Sequence, residues 1–192
     1  TLWNLPRATA GRLFVPLTIG GGVRTADDVG KALRAGADKV GLNTAAVEQP
    51  DAIRAASDRF GAQCVVVSID AAWDGSAWRV FTKGGRQPTG LDAVAWAEEA
   101  VRRGAGELLV TSIDRDGVRT GYDLALTGAI ARAVDVPVIA SGGAGTSAHV
   151  VEAFTEADAS AALVAGILHD GVTTVGQLKA AMVAAGIETR RV

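Results

Sequence analysis

Six apolar runs of strand length alternate with segments of helical spacing along this chain, and that alternation leaves few folds open. The runs fall at about Val15–Ile19, Lys39–Leu42, Cys64–Ile69, Glu107–Thr111, Val136–Ala140 and Ala161–Ala165. Helical spacing covers about Ala26–Ala35, Asp51–Phe60, Leu91–Arg103, Leu124–Val134 and Ser147–Thr155, and a further helix at about Val175–Ala185 follows the last run. Strands that are apolar throughout belong in a parallel sheet with helices on its face, because both sides must be buried. The chain has 192 residues, enough for one sizeable core, and no linker or low-complexity stretch divides it. Residues 1–192 therefore read as a single domain. The opening segment Thr1–Phe14 reads as the end of a helix, weakened by Pro6.

One connection breaks the rhythm. Between Asp70 and Leu91 lies Trp73-Asp74-Gly75-Ser76-Ala77-Trp78-Arg79-Val80-Phe81-Thr82, followed by Lys83-Gly84-Gly85-Arg86. An Asp-Gly turn between aromatic and β-branched residues predicts a β-hairpin inserted after the strand that ends at Asp70. Excursions at strand C-termini are where a barrel builds the mouth of its site.

A second feature is a repeat. Val15-Pro16-Leu17-Thr18-Ile19-Gly20-Gly21-Gly22-Val23-Arg24-Thr25 returns as Val136-Pro137-Val138-Ile139-Ala140-Ser141-Gly142-Gly143-Ala144-Gly145-Thr146. Each copy is an apolar run, a glycine cluster and a Thr placed to cap a following helix. Glycines free the backbone N–H groups there to face an anion, with no side chain in the way. Two copies predict two phosphate sites on a pseudo-symmetric scaffold, hence a substrate phosphorylated at both ends.

Bulk properties exclude several classes. The net charge of −2 gives no basic face for nucleic acid. The single cysteine, Cys64, sits in an apolar run and reads as a buried structural thiol, which fits a reducing cytoplasm. No apolar stretch approaches the ~20 residues of a membrane span, and the chain does not open on a signal peptide. His149 and His169 have no partner at ligand spacing, so neither a metal nor another cofactor is expected. No Ser lies in a nucleophile-elbow pattern either.

In a parallel α/β barrel the active site lies at the strand C-termini. Those ends carry Gly20–Gly22, Asn43 and Thr44, Asp70, Ser112 to Gly117, Ser141–Gly143, and Ala165 with Gly166. Asp70 is the leading catalytic candidate, since partial burial at a barrel mouth raises a carboxyl pKa and fits it for proton transfer. In Thr111-Ser112-Ile113-Asp114-Arg115-Asp116-Gly117, Asp116-Gly117 permits a tight turn that presents N–H groups, and Asp114 is placed to orient a substrate hydroxyl.

Several of these segments resemble the cyclase subunit of imidazole glycerol phosphate synthase: Gly20-Gly21-Gly22-Val23-Arg24, Gly36-Ala37-Asp38-Lys39-Val40, Asn43-Thr44-Ala45-Ala46-Val47, Thr111 through Gly117, Gly121-Tyr122-Asp123 and Ile139 through Gly145. The resemblance implies a (β/α)8 TIM barrel that takes ammonia from a glutaminase subunit in a heterodimer. Its substrate would be phosphoribulosyl-formimino-AICAR phosphate, a bisphosphate, and its products imidazole glycerol phosphate and AICAR. By this likeness Asp70 is one of two catalytic aspartates. Gly22, Asn43 and Thr44 hold one phosphate; Asp116, Gly117, Gly143, Ala165 and Gly166 hold the other. The family usually has Ser where Gly166 stands, so one hydroxyl contact is expected to be lost. Lys39 and Glu107 match a charged gate at the opposite end of the barrel, where ammonia enters, and Asp38 matches a residue facing the glutaminase.

The resemblance also implies a departure. The family begins with two further strands and the helix after the first of them. The chain is therefore expected to be truncated to about six β/α units, as a partial sequence or split gene product, with two open sheet edges and without the second aspartate. Two other functions stay open at this level. One is a non-catalytic fragment that binds a phosphorylated ligand or the glutaminase. The other is the related histidine-pathway isomerase, which needs no ammonia.

Overall fold

In the computed structural model, which describes residue 11 and residues 13–190, six parallel strands curl side by side under a layer of helices. The helix end expected at 1–14 lies for the most part outside the described residues. The parallel strands are β1 (Thr18–Gly20), β2 (Lys39–Leu42), β3 (Val65–Trp73), β6 (Glu107–Ser112), β7 (Val138–Ser141) and β8 (Ala161–Ala162), hydrogen-bonded in that order. Every pair in this path is parallel. Among the described residues, β1 and β8 stand at the two ends of the path.

Among the described residues, eight α-helices follow the strands: α1 (Ala26–Arg34), α2 (Thr44–Glu48), α3 (Asp51–Phe60), α4 (Ala93–Arg102), α5 (Leu124–Ala133), α6 (Ser147–Thr155), α7 (Gly166–His169) and α8 (Val175–Ala184). Both repeated threonines cap their helices as the sequence predicts. The Thr25 side chain accepts from Asp28 N at the start of α1, and that of Thr146 accepts from His149 N at the start of α6. Among the described residues, no helix is long and apolar enough to cross a membrane.

The core lies between sheet and helices. Val40, Val65, Val67, Ile69 and Leu108 from the strands pack with Val29, Ile53, Ala97 and Ile130 from the helices. A smaller cluster, with Ala140, Val150, Ala153 and Leu178, seals the β7–β8 end. Cys64 belongs to the main core, and its burial pushes the thiol pKa up, as expected of an inert structural cysteine. On β3 the alternation sorts the faces: Val67, Ile69 and Ala71 are buried, while Ser68 and Asp70 remain half-buried on the other side.

The inserted segment is larger than a hairpin. β3 does not stop at Asp70; it runs on to Trp73 because β4 (Trp78–Thr82) pairs with its last four residues, from Asp70↔Phe81 to Trp73↔Trp78. The two indoles meet edge to face at 4.9 Å. The Asp74-Gly75 turn forms as predicted, with Asp74 Oδ1 accepting from Ser76 N and Ala77 N. A third strand, β5 (Gln87–Asp92), then leads straight into α4, and its last residue Asp92 caps that helix. Leu91 is therefore strand and not the first residue of the helix.

Candidate functional site

The first glycine loop leaves β1 through Gly21 (φ 91°) and Gly22 (φ 74°), conformations that a Cβ would strain. A Cβ built at either residue would meet nothing within 4 Å. The loop opens instead onto a cavity of about 750 Å³, which the ends of β1, β2 and β3 share with the turn between β4 and β5. Gly22, Asn43, Thr44 and Asp70, all named from the sequence, line this one space. Ser68, Arg24 and Lys83 line it too, and sequence reasoning gave none of these three a role.

Asp70 is held by a neighbour. Asn43 Nδ2 donates to Asp70 Oδ2 at 2.8 Å. Burial raises the Asp70 pKa above the ordinary carboxylate value, the Asn43 hydrogen bond opposes that rise, and the negative charge of Asp116 adds to it. Burial dominates, which suits the group to move protons nearer neutral pH. Asn43 Oδ1 is buried with no partner among the described residues. An unpaired buried acceptor is costly, so a donor on a bound molecule would relieve it.

Thr44 opens α2, and its Oγ1 accepts from Lys83 N at 2.9 Å. That bond ties the β4–β5 turn to the rim of the first loop. Lys83 holds a left-handed backbone (φ 56°) and makes no ion pair among the described residues. The glycines of Lys83-Gly84-Gly85-Arg86 were a legible sign of such a turn; its docking on Thr44 was not.

The second glycine loop is built differently. Asp116, Gly117, Gly143, Ala165 and Gly166 do come together, around a smaller cavity of about 150 Å³. Here the glycines are packed. A Cβ at Gly143 (φ 105°) would lie 2.1 Å from the Gly121 carbonyl oxygen, and one at Gly145 2.1 Å from that of Arg119. Gly121 N donates to Gly143 O at 2.9 Å, so the β6–α5 and β7–α6 loops are laced together. Asp123 braces the first of them, accepting from Ser112 Oγ (3.1 Å) and Leu126 N (3.0 Å). Asp114, named from the sequence to orient a substrate hydroxyl, lines neither cavity; its Oδ2 accepts from Trp73 N at 2.8 Å and holds the end of β3.

Lys39 and Glu107 are the first residues of β2 and β6, at the opposite end of the sheet from the loops. Lys39 Nζ donates to both Glu107 carboxylate oxygens, at 2.9 and 2.8 Å, reaching past β3, which lies between the two strands. Asp38, exposed beside them, accepts from Leu17 N at 2.8 Å.

The chain matches the family described as histidine biosynthesis protein over residues 4–174. It is 69% identical over 190 residues to the imidazole glycerol phosphate synthase subunit HisF of Myxococcus xanthus, covering 99% of this chain and 75% of that protein. The subunit of the same name from Synechocystis is 56% identical, over 99% of this chain and 74% of its own. That from Metallosphaera sedula is 57% identical, over 99% and 76%. The matches run along almost the whole of this chain and about three quarters of each relative's length.

Proposed function

This chain belongs to the histidine biosynthesis protein family, among its imidazole glycerol phosphate synthase HisF subunits, and we propose that it carries out the ring-closing step of that synthase. Phosphoribulosyl-formimino-AICAR phosphate and ammonia are converted to imidazole glycerol phosphate and AICAR, with ammonia released from glutamine by a glutaminase subunit in a heterodimer. The isomerase reading and that of an inactive binding fragment are not favoured, because the relatives at this identity carry the synthase name.

The observation that carries this reading is one half-buried carboxyl, Asp70, at a strand exit between two glycine-built loops. The substrate's two phosphates go to the two loops, one at Gly22, Asn43 and Thr44, the other at Asp116, Gly117, Gly143, Ala165 and Gly166. Glycine-freed backbone N–H groups supply hydrogen-bond donors for a phosphate at each loop. The span between then lies across Asp70, which gives and takes protons as the imidazole ring closes. The unpaired Asn43 Oδ1 receives a hydroxyl or N–H of the sugar chain. Ammonia arrives from the other end of the strands, where the Lys39–Glu107 pair forms the gate and Asp38 faces the glutaminase.

The test is turnover of the bisphosphate by the purified chain with an ammonium salt, followed as loss of substrate absorbance. Formation of both products that requires ammonia is the expected result. Consumption of a histidine-pathway aminoaldose without ammonia would replace this reading by the isomerase one.

A further inference from the structure

The geometry points to Arg119 as a side-chain cation of the second phosphate site, seated there by the absence of a side chain at residue 166. This inference rests on reading the 150 Å³ cavity as a phosphate site. Arg119 is the only cation lining it among the described residues, against one carboxylate, Asp116. Neutral backbone donors alone would leave a phosphate facing that carboxylate uncompensated.

Two contacts fix where the guanidinium lies. A Cβ built on Gly166 would stand 3.0 Å from Arg119 Nη2, 3.6 Å from Nε and 3.7 Å from Cζ. The guanidinium thus occupies the space that a residue-166 side chain would claim, over the backbone that rims the cavity. The same nitrogen, Arg119 Nη2, donates to Asp170, just past the end of α7. That pair is largely exposed and contributes little to stability, but it orients the fork. A guanidinium has five N–H donors in a fixed plane, so holding Asp170 with one group leaves others for a phosphate oxygen.

The backbone is committed to this placement. Arg119 sits at φ 63°, in the left-handed region that non-glycine residues rarely adopt. Its carbonyl packs against Gly145, where any Cβ would collide with it at 2.1 Å. Strain of this kind concentrates where a side chain must be presented in one direction. The ligand implied is a phosphate monoester, here one end of the bisphosphate substrate.

The experiment compares wild type, Arg119→Gln, Gly166→Ala and the double variant, with KM and kcat for the bisphosphate in ammonium buffer and inhibition by inorganic phosphate. Gly166 has no positive φ, so alanine there is tolerated by the backbone and acts on the guanidinium. Arg119→Gln should raise KM by about ten- to a hundredfold, the size of a lost charged hydrogen bond, weaken phosphate inhibition in step, and leave kcat within a few-fold. Gly166→Ala should raise KM in the wild-type background and add nothing once Arg119 is Gln. Melting curves of all four should nearly coincide. An unchanged KM in Arg119→Gln, or a Gly166→Ala effect of equal size in both backgrounds, would overturn the assignment while leaving the second site in place. A wild-type chain that neither turns over nor binds the bisphosphate would overturn the site itself, and this role with it.

Discussion

The two glycine loops share one sequence pattern and use it for different physical ends. In the first, Gly21 and Gly22 need a left-handed backbone but have empty space around them, and the loop opens onto a cavity of about 750 Å³. In the second, Gly142 and Gly143 have the same handedness, yet they are buried and let two loops cross at van der Waals contact. The first loop leaves room for a reacting group beside it, and Asp70 stands there. The second is a structural joint between two loops. Repeated motifs therefore do not imply repeated tolerances.

The largest expected effect is on chemistry at the first loop. Asp70→Asn should cost about 10²–10⁴ in kcat, as loss of a general acid or base does. The same variant should melt higher than wild type at neutral pH. Because burial raises the folded-state pKa of Asp70, folding is penalised wherever the carboxyl is charged, so stability falls as pH climbs from the ordinary carboxylate value through the raised one. The melting advantage of Asn should therefore be full above that window and vanish below the unfolded pKa, which a series of thermal melts against pH would check.

Next comes packing. Gly143→Ala forces a Cβ to 2.1 Å from a backbone oxygen at φ 105° and should cost roughly 2–5 kcal/mol, or on the order of 10 °C in Tm. Gly22→Ala meets no neighbour and should cost only the strain of its positive φ, about 1–2 kcal/mol. Equal melting losses in the two variants would erase the distinction between the loops.

Smaller effects concern the charge on Asp70. Asn43→Ala removes the hydrogen bond that opposes its raised pKa, so the acidic limb of the kcat profile should move to higher pH. Asp116→Asn removes a like charge belonging to the second site and should move that limb the other way, by less. The charge of Asp116 links the two loops electrostatically, and a limb that ignores its removal would cut that link.

Periodicity alone was enough for Lys39–Leu42, Asp51–Phe60 and Ser147–Thr155, whose bounds in the structure are those expected. It could not show α2 or α7, which are one turn or little more and carry no period to detect. β3 outran its expected end because Ala71, Ala72 and Trp73 are strand only through pairing with β4, a contact no local window contains. The two groups of site residues were legible as polar and small residues at strand exits. Arg119 was not, because its meeting with Gly166 is made by two loops distant in sequence, and neither residue alone signals the other. Asn43 was visible as a site residue, but its bond to Asp70 exists only once β2 and β3 lie side by side.

The most direct test of a two-site substrate cleft is calorimetric titration with the two products, each of which keeps one of the substrate's phosphates. Imidazole glycerol phosphate and AICAR should bind at separate loops, so saturating the chain with one should leave the affinity for the other nearly unchanged. Strict competition between them would mean that one phosphate site serves both, and the paired-loop account would fail.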